Sequence, residues 1–170
     1  MADSLIDRLR GLLASDVYSQ KGRLRADDLL VRERVGHGLG AASAGIRQLI
    51  SSWRADRVPP STREQPFPPA EVMEPIRRAE RLLRSMTDLS TLINGLPLIN
   101  QDRVWNRVRH VGLDELLQFD WTLVGEADAL VAAAGDWGAL DEIDVVDAEA
   151  RLKRIRDVIG ERRRYLEIQA

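Results

Sequence analysis

Apolar residues recur at spacings of three and four through most of the chain, most regularly where Val35, Leu39, Ala42, Ile46, Leu49 and Trp53 form one seam. That repeat is the period of an α-helix with a buried face. With successive residues turned by about 100°, Gly38, Ala41 and Gly45 fall on a second strip beside the seam, where small side chains let another backbone come close. Ser43, Arg47, Ser51 and Arg54 fill the remaining side and are expected to face water. A helix with two faces in need of neighbours is a central one. It is predicted from near Ala26, with Asp27 and Asp28 in a first turn whose dipole favours negative charge, to about Arg57.

The same reading extends along the chain. Leu5, Ile6, Leu9, Leu12 and Leu13 mark one face of a short amphipathic helix within residues 1–14, with Asp3 or Ser4 placed to cap it. Between Ser15 and Leu24 the pattern lapses around Gly22, which predicts a loop. Residues 58–70, VPPSTREQPFPPA, hold five prolines in thirteen positions. Proline fixes φ and lacks an amide proton, so the segment reads as an extended, semi-rigid connector inside the domain; a ligand for an aromatic-lined groove is the other use of such a segment. Phe67 is expected to pack back on the helices. A further helix begins between Pro69 and Pro75, presents Ile76, Ala79, Leu83 and Met86 with Leu82, Leu89 and Ile93 beside them, and stops at Asn94-Gly95. Val104, Trp105, Val108 and Val111 belong to a helix starting near Asn100 that Gly112 ends or bends. The next runs from Asp114 to about Ala134 with Leu117, Trp121, Val124, Leu130, Val131 and Ala134 inward, and Gly135 to Gly138 form a turn.

The last helix is predicted from Leu140 to Ile168. Val145, Ala148, Leu152, Ile155, Ile159, Arg162 and Leu166 alternate by three and four over three heptads, a seam of the coiled-coil sort. Arg162 interrupts it while Ile159 and Leu166 continue it. The end of the helix is therefore expected to leave the core and meet something else. Nothing patterns as a strand or an internal repeat. The fold expected is all-α, a single helical bundle of five to six helices with a Pro-rich connector, and residues 1–170 form one helical domain of a size suited to one core.

Composition narrows the function classes. Basic and acidic residues number 25 and 27, a balance unlike that of a protein that coats nucleic acid. Cysteine is absent, which removes disulfides and thiolate metal sites and fits a reducing, cytoplasmic setting. The N-terminus reads as neither a secretory signal nor a membrane span. Arginine outnumbers lysine 23 to 2, as a GC-rich genome produces, although guanidinium groups also suit carboxylates and phosphates. Charge is blocked: residues 114–149 hold eleven acids and no Lys or Arg, and residues 150–170 hold seven basic residues against three acidic. The acidic block is expected to face arginine-bearing helices of the same chain, or else a basic partner protein.

Candidate chemistry is sparse. His37 lies off the buried seam, and His110 follows Asp102-Arg103-Val104-Trp105-Asn106-Arg107-Val108-Arg109. That stretch resembles the Arg-x(4–6)-His motif of HEPN-type ribonucleases, small all-α proteins. The resemblance implies Arg103, Asn106 and His110 as catalytic residues that meet their counterparts across a dimer to cleave RNA. Val104 follows the arginine where a polar residue is usual, and Trp105 stands where an arginine commonly precedes the asparagine. His37 has Arg32 at an allowed spacing as well. No histidine sits three residues after a glutamate, and no calcium-loop pattern occurs, so no metal is expected. The glycines of GHGLGAASAG miss the dinucleotide and phosphate-loop spacings and read as packing glycines. Arginines Arg77, Arg81, Arg84, Arg107, Arg154 and Arg163 could converge on one phosphate-binding groove, with Arg78, Arg103, Arg109, Arg151, Arg162 and Arg164 near them.

These features lead to a non-enzymatic interaction protein, an adaptor or small subunit of a larger assembly. It would dock a protein partner or its own copy through Leu5, Ile6, Leu9, Leu12 and Leu13 or through Ile159, Arg162 and Leu166. RNA binding or HEPN-like cleavage and peripheral membrane association through the N-terminal helix are the alternatives. No cofactor and no small-molecule substrate are implied.

Overall fold

A computed structural model describes residues 20–96, 104, 107, 108 and 112–168. Among them the secondary structure is helical and contains no strand. Among the described residues four α-helices follow one another: α1 (Gln20–Arg57), α2 (Ala70–Asn94), α3 (Leu113–Asp136) and α4 (Val145–Ile168), with a 3-10 turn at Leu140–Glu142 before α4. The expected N-terminal helix of residues 1–14 and most of the helix expected after Asn100 lie outside the described residues.

Two helix starts differ from the sequence expectation. α1 begins at Gln20, inside the segment read as a loop. Lys21, Arg23, Leu24 and Arg25 all favour helix, and one glycine among them costs only about 1 kcal/mol. Asp28 is therefore interior to the helix and not in its first turn. The last helix starts five residues late, because Ile143 is extended (φ −64°, ψ 116°) and separates the 3-10 turn from α4. The Glu142 carboxylate closes that turn, accepting hydrogen bonds from the Gly138 and Ala139 amides at 3.1 Å each. α2 behaves as read: Pro69 precedes it, Pro75 falls early enough to be tolerated, and it stops at Gly95, whose φ of −83° makes the stop right-handed.

Side-chain contacts give the directions. Trp53 Nε1 donates to the Val72 carbonyl at 2.9 Å, Ser43 Oγ lies 3.4 Å from Met86 Sδ, and Arg32 donates to the Leu96 carbonyl at 2.7 Å, so α1 and α2 are antiparallel. Arg34 pairs with Asp128 at 2.8 Å, Gly38 abuts Ala127 and Val131, and Gly45 faces Ala134, so α1 and α3 are parallel. Glu126 meets Arg151 and Arg154 while Asp120 meets Arg162, so α3 and α4 are antiparallel. α1 and α4 each lie beside both α2 and α3. The connections 58–69 and 137–144 join neighbours, whereas 95–112 joins helices at opposite corners.

The core takes Val31, Val35, Leu39, Ala42 and Ile46 from α1, Ile76, Leu82, Met86 and Leu89 from α2, Ala127 and Leu130 from α3, and Leu152 and Ile155 from α4. Val104, Val108, Leu116 and Leu166 make a smaller cluster at the end where α4 finishes, packed by Leu113 and Tyr165. Four side chains depart from the pattern. Ser43 is buried and not solvated, since α1 is covered on two flanks by α2 and α3. Of the small-residue strip, Gly38 is the position of close approach: a Cβ there would lie 3.3 Å from that of Ala127. Trp121 is 52% exposed while Asp120 is buried, so the inward face of α3 is Leu116, Asp120, Leu123, Ala127 and Leu130, with the expected Val124 also buried beside it. Phe67 is 80% exposed and does not pack on the helices. No helix among the described residues is long and apolar enough to cross a membrane.

Candidate functional site

Where α1, α3 and α4 come together near the C-terminal end of α4, four ionised side chains are taken out of water. Asp28, Asp120 and Arg162 are each no more than 6% exposed. Arg162 Nε donates to Asp120 Oδ1 at 2.7 Å, and its Nη2 lies 2.8 Å from Asp28 Oδ1. Asp28 Oδ2 in turn pairs with Arg32 Nη2 at 2.9 Å, one helical turn on. Arg32 Nη1 continues the chain to the Leu96 carbonyl just past α2. Two carboxylates and two guanidiniums sum to zero, and the group ties all four helices at one level.

Burial is what permits this charge and what perturbs it. Burial pushes the Asp120 carboxyl above its usual range, more than the opposing pull of Arg162 lowers it. Burial also opposes the charge on Arg162, yet Asp120 and Asp28 hold its guanidinium protonated above the ordinary value. The expectation that α4 leaves the core at Arg162 is thus corrected: the seam continues inward, with Ile159 at 5% and Leu166 at 3% exposure, and the arginine is accepted because two acids meet it. The hydrophobic pattern alone does not mark Asp28 and Asp120 as its partners. The signal available was that Asp120 falls in phase with Leu116, Leu123 and Leu130, at a core position of α3.

Beside the ion group is a cavity of about 90 Å³ lined by Val31, Val35, Ile93, Leu123 and Ile159 together with Arg32 and Arg162 of the group itself, Arg163 and Glu167. It holds no nucleophile and no acid–base pair.

Of the arginines expected to share a groove, Arg77, Arg81 and Arg84 are on α2 and Arg154 and Arg163 are on α4. Arg77, Arg81 and Arg84 are exposed on α2, where Arg78 and Arg81 both approach Glu74 at 3.6 Å. Arg154, with Arg151, is bound to Glu126 on the α3 flank of α4, and Arg163 pairs with Glu167 at 2.8 Å. Arg107 is exposed. The acidic helix α3 thus meets arginines of α4, and of α1 through Asp128 and Arg34, as the intramolecular reading expects.

His37 is exposed. Arg103, Asn106 and His110 lie outside the described residues, as do Leu5, Ile6, Leu9, Leu12 and Leu13. Among the described residues no group of three His, Cys, Asp or Glu side chains could hold a metal ion. Comparison with family models, with curated proteins and with solved structures found no match to this chain.

Proposed function

We propose that this protein is a non-enzymatic adaptor or small subunit of a cytoplasmic assembly, working as a rigid helical block that docks another protein chain or its own copy. In this reading residues 1–14 and 100–111 add helices to the four, completing a bundle of five to six. The observation that carries it is an apolar pair on the outer flank of the parallel helices α1 and α3. Leu30 is 49% exposed and Trp121 is 52% exposed. Leu30 stands one turn before Arg34, and Trp121 two turns before Asp128, the two residues that pair across the same flank. Gly38 against Ala127 sets the register of the helices, so Leu30 lies level with residue 119, about half a turn before Trp121. A tryptophan half in water beside an exposed leucine suits an interface core, where aromatic anchors dominate binding energy. The amphipathic segment of Leu5, Ile6, Leu9, Leu12 and Leu13 precedes the same helix and supplies a second apolar face.

Sedimentation velocity on the full chain tests the reading, with the double variant Leu30→Glu, Trp121→Glu beside it. Both side chains are at the surface, so the variant keeps its helical signal. The expected result is a concentration-dependent larger species, alone or with a purified candidate subunit, that the double variant loses. Equal sedimentation of the two proteins, together with RNA binding that falls steeply with salt, would replace the adaptor by an RNA-binding subunit.

A further inference from the structure

The far end of the bundle carries a different feature. The C-terminal turns of the parallel helices α1 and α3 stand side by side there, and between them and the 137–141 loop runs a groove of about 450 Å³. That volume is within the range of small-ligand sites. Its walls include two indoles, Trp53 and Trp137, and its floor includes Leu49 and Gly45. The walls are held in place: Trp53 by its bond to the Val72 carbonyl, the loop by the two amide bonds to Glu142. A Cβ at Gly138 would come within 2.9 Å of the Glu142 carboxylate, so the glycine lets the loop lie this close.

The groove is lined by two acids and one base, Asp56, Asp141 and Arg57. Two helices end at it: the last turn of α1 carries Arg57 and Arg54, the latter paired with Glu80, and the last turn of α3 has no basic residue to offset its unpaired carbonyls. Asp56 and Asp141 line it, and neither has an ion-pair partner among the described residues. The one cation present, Arg57, lies with its guanidinium 5.3 Å from the centre of the Trp53 ring. A positive charge over an indole face is the arrangement that recognises ammonium compounds. Here a side chain of the protein already occupies it.

We propose that this groove binds a small organic cation, an ammonium or guanidinium compound with a short apolar body, whose charge is met by Asp56 and Asp141 and whose body lies against Trp137 and Trp53, in competition with Arg57. The site is separate from the Leu30–Trp121 flank and does not depend on the adaptor reading.

Isothermal titration of the full chain with choline tests it, with 3,3-dimethylbutanol as the uncharged isostere and glucose as a neutral polar ligand. Choline is expected to bind saturably, and the isostere about tenfold more weakly or worse. Arg57→Gln removes the internal competitor and is expected to tighten choline binding, while Asp56→Asn with Asp141→Asn weakens it. Gly45→Met fills the groove from its floor and is expected to abolish binding without lowering the melting temperature, because a Cβ at Gly45 meets only the Ala134 carbonyl, at 3.9 Å. Glucose or the isostere binding as well as choline would overturn the proposal, as would weaker binding in Arg57→Gln, full binding in Gly45→Met, or no saturable heat with choline. If Arg57 serves an anion or a hydroxyl, its removal weakens binding, and the sign of that single change separates the two chemistries.

Discussion

A buried arginine is stable only in the company that surrounds it, and Arg162 shows how narrow that condition is. Removing one partner of a desolvated ion group leaves the others charged and unpaired, at a cost of about 3–5 kcal/mol. Arg162→Met should lose about that much in urea unfolding. Adding Asp120→Leu should recover most of the loss, because Asp28 retains Arg32. Asp120 also gives a signed pH dependence. Its carboxyl is raised in the folded chain, mainly by burial, so the native state binds this proton more readily than the unfolded state. Its contribution to stability is complete below the unfolded value of 3.8 and is lost as pH rises through the higher folded value. Unfolding curves across that acidic range should therefore show the wild type losing stability relative to Asp120→Asn as pH rises, and the opposite slope would mean that Arg162 prevails over burial. Gly112 is constrained in another way. Its carbonyl accepts the Tyr165 hydroxyl at 2.8 Å, and a Cβ on it would overlap that hydroxyl. Gly112→Ala should break the bond and lower the melting temperature.

At the scale of the element, the glycines of α1 divide by what lies beside them. A Cβ at Gly36 or Gly40 meets nothing within 4 Å, whereas one at Gly38 presses on Ala127. Gly40→Ala should add about 1 kcal/mol through helix propensity alone. Gly38→Leu should cost about 1–3 kcal/mol by forcing α3 outward, and equal effects at the two positions in denaturant unfolding would refute this packing. The helices themselves were readable in the sequence because Val35, Leu39, Ile46, Ile155 and Ile159 each face one shared core. The faces were less readable wherever a polar residue is buried. A template that admits only apolar residues turns α3 toward Trp121, since it cannot credit Asp120 with a partner on another helix. Ser43 was misplaced for a related reason, as one strip of a helix says nothing of how many neighbours cover it. Arg162 was noticed as an anomaly, but its meaning depended on two acids 42 and 134 residues away along the chain.

Across the described residues, charge is settled in part within the chain. The blocks of acid and base visible in the sequence meet as Glu126 with Arg154, Asp120 with Arg162 and Asp128 with Arg34. The exposed pairs contribute little and are screened, while the buried group is sheltered from salt. Raising sodium chloride about tenfold should therefore change the unfolding free energy by under about 1 kcal/mol. A larger drop would show that surface attraction carries the fold. No pattern in the sequence announced the two-tryptophan groove, because it is assembled from the last turn of one helix and a loop some eighty residues later.

The Pro-rich span also makes this molecule severable. From Pro59 to Phe67 every residue is exposed, and the hydrogen bonds of Ser61, Thr62 and Gln65 close within the span itself. Nicking the backbone there removes a tether and no packing. The two pieces, produced as separate polypeptides, have every reason to find each other again, and the folded state would then depend on their concentrations, as in a heterodimer made from one gene.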